Sequence, residues 1–174
     1  HGRDRRQRQM CIRDRDNAMT PAITLLKKKR IAHTILKYDH DSKAPTYGLE
    51  AADKLSLNPS AVFKTLVVCD ETSKLAVALV PVNTTLSEKK LAKVLGVKKI
   101  TMAPSDTVVA STGYLLGGVS PLGQKKRLAT VLHESALAHE MIYVSAGKRG
   151  LELEIPPQCI INLTQAKTAQ IAAD

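Results

Sequence analysis

The stretch Phe63-Lys-Thr-Leu-Val-Val-Cys-Asp-Glu-Thr-Ser-Lys-Leu-Ala-Val-Ala-Leu-Val-Pro-Val82 decides the fold class. Two β-rich runs, Phe63 to Cys69 and Lys74 to Val82, flank Asp70 to Ser73, which has the composition of a turn. The pattern predicts a β-hairpin. Working outward, helical and extended segments alternate. Upstream, Ile23, Leu25, Leu26 and Ile31 form a helical stripe that ends in the cations Lys27 to Arg30, well placed at a helix C-terminus. His33 to Tyr38 alternates as a strand, and Tyr47 to Leu55 carries a second helical stripe that Asn58-Pro59 breaks. Downstream, Ser87 caps a helix that Gly96 ends. A strand over Val97 to Met102 and a short helix over Pro104 to Ser111 follow. Strands are then expected over Leu128 to Leu132, Met141 to Val144 and Leu151 to Ile155, a helix from Pro157 to about Thr164, and a last strand near Gln170. The alternation implies a single α/β domain on a mixed sheet with flanking helices.

Composition narrows the function classes. The chain has 174 residues, a formal charge of +10, 44% hydrophobic and 3% aromatic residues, one Phe and no Trp. No run approaches the ~18 apolar residues of a membrane span, so no membrane association is expected. Three Cys without paired spacing argue against a disulfide framework and for a reducing, cytoplasmic setting. Residues 1–18, HGRDRRQRQMCIRDRDNA, have neither helical nor strand periodicity and are expected to be a foreign or disordered leader. They lack the apolar stretch of a secretory signal and hold too many acids for a transit peptide. Met19-Thr-Pro has the look of a start, with Thr20 as N-cap and Pro21 as first helical residue. Without the leader, residues 19–174 carry +7 over 156 positions. That charge favours a polyanionic partner.

The familiar catalytic signatures are absent: there is no nucleophile elbow, Walker-type loop or dinucleotide fingerprint. His133 and His139 lie six apart and suit no shared helix face, so neither a metal nor a cofactor is expected. Cys69 and Cys159 read as small core residues. The least ordinary segment is Gly113 to Arg127, with four Gly, one Pro and the closing cations Lys125, Lys126 and Arg127. Its centre, Gly117 to Gly123, either makes a tight connection or aims backbone N–H groups at a developing oxyanion. Lys64, at the head of an apolar strand, either snorkels at an edge or supplies a cation at a pocket wall.

Taken together, Met19-Thr-Pro-Ala-Ile, Tyr38-Asp-His-Asp41, Phe63-Lys-Thr-Leu66, Ser111-Thr-Gly-Tyr114, Gly117-Gly-Val-Ser-Pro-Leu-Gly-Gln-Lys-Lys-Arg127 and Tyr143-Val-Ser-Ala-Gly-Lys-Arg-Gly150 resemble the YbaK family of aminoacyl-tRNA deacylases. The likeness runs from Met19 to the C-terminus in family order, and the two glycine motifs are its specific parts. It implies the partly barrel-like fold of the prolyl-tRNA synthetase editing domain. It also implies a bacterial trans-editing hydrolase that removes cysteine from proline tRNA, with that tRNA and prolyl-tRNA synthetase as partners. Proline and cysteine have similar volumes, so a synthetase pocket cannot separate them by size and a second, hydrolytic sieve is needed.

By the same resemblance Lys64 lies at the substrate pocket, and the amides of the Gly117 to Pro121 loop, Gly117 and Gly118 above all, stabilise the tetrahedral intermediate. Tyr38, Phe63, Ser120, Pro121, Ser145 and Gly147 contact substrate; the charge run Lys125, Lys126 and Arg127 either makes a solvated rim or, with Lys148 and Arg149, meets nucleic acid. The family is thought to let the substrate thiol attack its own ester. A positioned water, as suits a relative acting on alanine, and a tRNA or nucleotide binding module without hydrolysis are the competing readings.

Overall fold

The computed structural model describes residues 19–41 and 47–174, so the expectation for residues 1–18 lies outside the described residues. The chain begins with α1 (Pro21–Lys28), whose N-cap Thr20 accepts the Ile23 amide. Next come β1 (Thr34–Lys37) and α2 (Tyr47–Lys54). A 3-10 turn over Pro59–Ala61, capped by Asn58, leads into the hairpin of β2 (Phe63–Asp70) and β3 (Leu75–Pro81). Asp70 closes that hairpin, its carboxylate accepting the amides of Thr72 and Lys74 at 2.8 and 2.9 Å. Then follow α3 (Glu88–Leu95), β4 (Ile100–Met102), α4 (Ser105–Thr112), β5 (Ala129–His133), β6 (Ile142–Ser145), β7 (Leu151–Ile155), α5 (Pro157–Thr164) and β8 (Lys167–Ala169). Ser87 caps α3, and Gly96, at φ 70°, ends it in the left-handed conformation that glycine adopts without strain.

The strands are distributed over two sheets. One is antiparallel with order β1-β7-β6, and the other has order β4-β2-β3-β5-β8. The second is mixed, because β5 runs parallel to both β3 and β8 while β2 is antiparallel to β3 and β4. A single parallel bridge, Val62 with Tyr143, links the two sheets where they approach. The α/β single domain with a mixed sheet is therefore present, with its strands in two sheets that do not close into a barrel. The expected strand from Val97 starts only at Ile100, because the Lys98 and Lys99 amides turn aside to the Glu71 carboxylate.

Alternation along β3 sorts the interior into two layers. Ala76, Ala78 and Val80 face α3 and pack with Val68, Leu91 and Ile100. Leu79 faces the other way, into the larger core that α1, α5, β5, β6 and β7 build from Ile23, Leu26, Leu132, Val144, Leu153 and Ile160. His133 belongs to this framework. Its Nε2 lies 2.8 Å from Gln170 Oε1 and its Nδ1 accepts the Ser135 amide. Cys159 packs against the larger core, and Cys69 is half-buried at the end of β2. Among the described residues no helix is long and apolar enough to cross a membrane, and no cluster of His, Cys, Asp and Glu could hold a metal ion.

Candidate active site

The five-stranded sheet leaves the first half of β2 with one neighbour. Phe63 to Cys69 pair with β3, but β4 joins β2 only at Val68–Asp70. Beside the open half lie the ends of β1 and β6, the middle of β7, the start of α2 and the glycine-rich loop after α4. Together they enclose a cleft of about 380 Å³ lined by Tyr38, Phe63, Lys64, Gly117, Ser145 and Glu152, with Leu49, Thr65, Leu66, Leu116 and Val119 among its apolar and hydroxyl walls. Five positions singled out from the sequence, 38, 63, 64, 117 and 145, thus converge from four separate parts of the chain, 63 and 64 both on β2.

Each is held by a local reason. Tyr38 is placed by its amide, which donates to the Gly150 carbonyl at 3.0 Å just beyond β1. The loop after it is anchored by Glu50, whose carboxylate accepts the Asp41 amide at 2.9 Å and pairs with His40 at 2.8 Å. Burial pushes the Glu50 carboxyl up, yet the His40, Asp41 and Lys54 contacts outweigh it and hold the group below the usual carboxylate range. The Lys64 ammonium donates to the Thr84 carbonyl at 2.8 Å, which fixes a long side chain at the cleft wall. Burial lowers its proton affinity below that of an ordinary lysine. Of the two alternatives for Lys64, edge snorkelling and a pocket wall, the geometry fits the wall. Phe63 is buried and joins the cleft to the larger core. Ser145 Oγ accepts the Gly147 amide at 3.1 Å, an arrangement that orients the hydroxyl.

Other predicted positions fall elsewhere. The Gly118 amide is spent on the Leu115 carbonyl at 3.0 Å. A Cβ there would lie 3.1 Å from the backbone of Lys148 and Arg149, so Gly118 serves the close approach of two turns. Ser120 is fully buried, its Oγ accepting the Leu122 amide at 3.3 Å, and Pro121 is buried beside a different surface depression. Gly147, at φ 106°, packs its Cα against the Tyr114 ring, where a Cβ would come within 2.6 Å. These four positions shape the loops and do not line the cleft.

The cations divide in the same way. Lys148 and Arg149 line a wide groove with His40, Tyr114, Leu115 and Gly147 that shares Leu116 with the cleft. Arg149 also donates from Nε and Nη2 to the Leu116 carbonyl at 3.1 and 2.7 Å, tying the groove to the glycine loop. Lys125, Lys126 and Arg127 are exposed and line neither the cleft nor this groove.

Sequence reasoning missed Glu152. The order Leu-Glu-Leu-Glu-Ile over β7 reads as a strand with one wet face, and nothing in that alternation separates position 152 from 154. Only the register does, setting Glu152 opposite Ser145 on one side and Leu36 on the other. Its carboxyl is buried, and burial raises its pKa to about 8.

Known proteins carry the same fold and related sequences. A protein of Enterococcus faecalis, named as a candidate Cys-tRNA(Pro)/Cys-tRNA(Cys) deacylase, EbsC, is 42% identical over 120 residues, covering 69% of this chain and 73% of the relative. A proline–tRNA ligase of Thermodesulfovibrio yellowstonii is 31% identical over 107 residues, covering 60% of this chain and 18% of that enzyme. Among solved structures, one described as a candidate trans-editing enzyme for prolyl tRNA synthetase superposes with a TM-score of 0.77 at 21% identity, covering 90% of this chain and 99% of that one. The hypothetical protein APE2540 gives 0.77 at 24% identity, covering 88% and 100%. These two likenesses establish the fold. A sequence model of the aminoacyl-tRNA editing domain matches residues 41–163, a span that includes every residue named above as lining the cleft except Tyr38. With that match and the Enterococcus relative, the chain belongs to the aminoacyl-tRNA editing domain family.

Proposed function

We propose that this chain is a trans-editing deacylase that hydrolyses the ester joining cysteine to proline tRNA in the cytoplasm. One observation carries the reading. The cleft gathers Tyr38, Lys64, Gly117 and Ser145 around a space fit for an amino acid and its ester, while among the described residues its lining contains neither Cys nor His. A site so equipped can hold and polarise an ester, and the Glu152 carboxyl opposite Ser145, raised to about 8 by burial, is protonated at neutral pH and a poor base for that hydroxyl.

The nucleophile then comes from the substrate. The cysteine thiol is intrinsically nucleophilic and is tethered beside its own carbonyl. Its sulfur bonds to the carbonyl carbon, the bond to the ribose oxygen breaks, and the thiol proton ends on that oxygen. The tRNA leaves uncharged, and water opens the thiolactone to free cysteine. Lys64 orients the ester by charge, and the Gly117 amide stabilises the oxyanion. Lys148 and Arg149 beside the cleft meet phosphates of the acceptor end, with Lys125, Lys126 and Arg127 adding a more distant, salt-sensitive attraction. With so few aromatic side chains to stack on bases, the choice of tRNA falls to association with prolyl-tRNA synthetase.

The test is a deacylation panel on proline tRNA carrying cysteine, serine or alanine. Cysteine release is expected to exceed serine release by about 10²-fold or more, since a neutral hydroxyl is a far poorer nucleophile. Rapid serine or alanine release points instead to attack by water. Stable esters throughout, with tRNA still bound, would leave only a binding module.

A further inference from the structure

Glu152 and Glu154 occupy equivalent places in the alternation of β7 but have different surroundings. Glu154 sits across the ladder from Tyr143, whose hydroxyl it meets. Glu152 is 6% exposed and lines the cleft. Its Oε2 is buried and has no hydrogen-bond partner. An unmet buried acceptor of this kind is costly. Among the described residues no cation offsets it: the Lys64 ammonium of the same cleft is engaged by the Thr84 carbonyl, and burial accounts for the raised proton affinity of Glu152. Tyr38 and Lys64 are the other titratable groups of the lining. The rest, from α2, β6 and the glycine loop, cannot ionise.

The missing partner is therefore a donor that the ligand brings. On the deacylase reading, the ligand is an aminoacyl ester, and its one cationic donor is the α-amino group, which titrates near 7.7–8.0 in peptides. We propose that Glu152 receives the free α-amino group of the substrate, so that the site accepts aminoacyl esters and rejects N-acylated ones, peptidyl esters included. This rests on the deacylase reading and gives it a substrate class. The proton balance is simple. If the amine arrives as an ammonium, the Glu152 proton leaves to solvent; if it arrives neutral, that proton passes from the carboxyl to the amine. Either route ends in a carboxylate–ammonium pair shielded from water, the strong form of such a contact. Acylation removes the charge and two of the three N–H donors, and places an amide carbonyl against a buried carboxyl.

The experiment uses the full chain and adenosine carrying cysteine through a stable 3′-amide, with its N-acetyl derivative as the comparison, both titrated by calorimetry at pH 7. The wild-type protein is expected to bind the free amine at least about 10-fold more tightly than the N-acetyl compound. Glu152→Gln, close in shape, should bring the two affinities together by weakening the first. Equal binding by the wild type, an unchanged ratio in the Gln variant, or no binding of either compound overturns the proposal. The wild-type comparison stands even if the variant fails to fold. Hydrolysis of cysteinyl-tRNA is read separately: ester loss without amine discrimination retains the deacylase and removes Glu152, whereas discrimination without ester loss does the reverse.

Discussion

The two halves of β2 follow one continuous strand and have opposite duties. From Val68 to Asp70 it is paired on both sides, by β3 and β4, and Val68 is sealed beneath α3 with Leu91 and Ile100. From Phe63 to Leu66 it has a ladder partner only in β3, and there the strand presents Lys64 and Thr65 to a cleft. The unmet polar atoms follow the same division. Thr65 Oγ1 and Glu152 Oε2 are both buried without a partner at the open half. The second partner strand thus marks where packing ends and the candidate site begins. Buried polar groups left unsatisfied are costly, so they persist where a ligand can complete them.

The comparison can be broken at either end. The largest effect is expected from Leu91→Ala, which empties a fully buried site under the doubly paired half. It should cost about 2–5 kcal/mol in chemical denaturation, with the turnover of the remaining folded protein unchanged. Lys64→Ala should do the opposite, lowering kcat/KM for cysteinyl-tRNA by about 10²-fold, equivalent to ~3 kcal/mol of transition-state stabilisation, while leaving the circular dichroism spectrum intact. Comparable activity losses in both variants would erase the division. Glu152 supplies a pH test. Its folded pKa, about 8, lies above that of an exposed glutamate. Between pH 5 and 8 the folded state therefore keeps a proton that the unfolded state has released, and stability falls as pH rises, by about 1 kcal/mol per unit. Glu152→Gln should flatten that slope, and denaturation midpoints of both proteins across the range will show whether it does. The smallest effect is expected at Thr65→Val, which removes an unpartnered hydroxyl: stability should rise by up to about 1 kcal/mol while deacylation falls.

Much of the frame was legible because local chemistry decided it. Asp70 closes the hairpin, and Ser87 and Gly96 bound α3, all through contacts within a few residues. The division of strands between two sheets was less so, because pairing partners far apart in sequence leave no local mark. Glu71 shows the same limit on a smaller scale: its carboxylate draws the Lys98 and Lys99 amides out of a strand that composition favours. In the cleft, Tyr38, Lys64 and Ser145 could be found through motifs, and Gly117 through its glycine-rich setting. The roles of Gly118, Ser120, Pro121 and Gly147 could not be read that way, since glycine needed for close packing and glycine needed for an exposed amide look alike in a sequence. Glu152 was hidden for the converse reason. A charged residue at a strand position usually faces water, and only register reveals when it does not.

Arg149 also bears on how such a site can diversify. By holding the Leu116 carbonyl, while Gly118 abuts the backbone at positions 148 and 149, it fastens two turns into one rigid corner. Lengthening or shortening either turn would unseat the other, so insertions and deletions here should be poorly tolerated. Side chains pointing into the cleft from Leu49, Leu116 and Val119 bear no such constraint. A descendant of this protein that acquired a different amino acid as its target would change those three apolar walls and leave the corner alone.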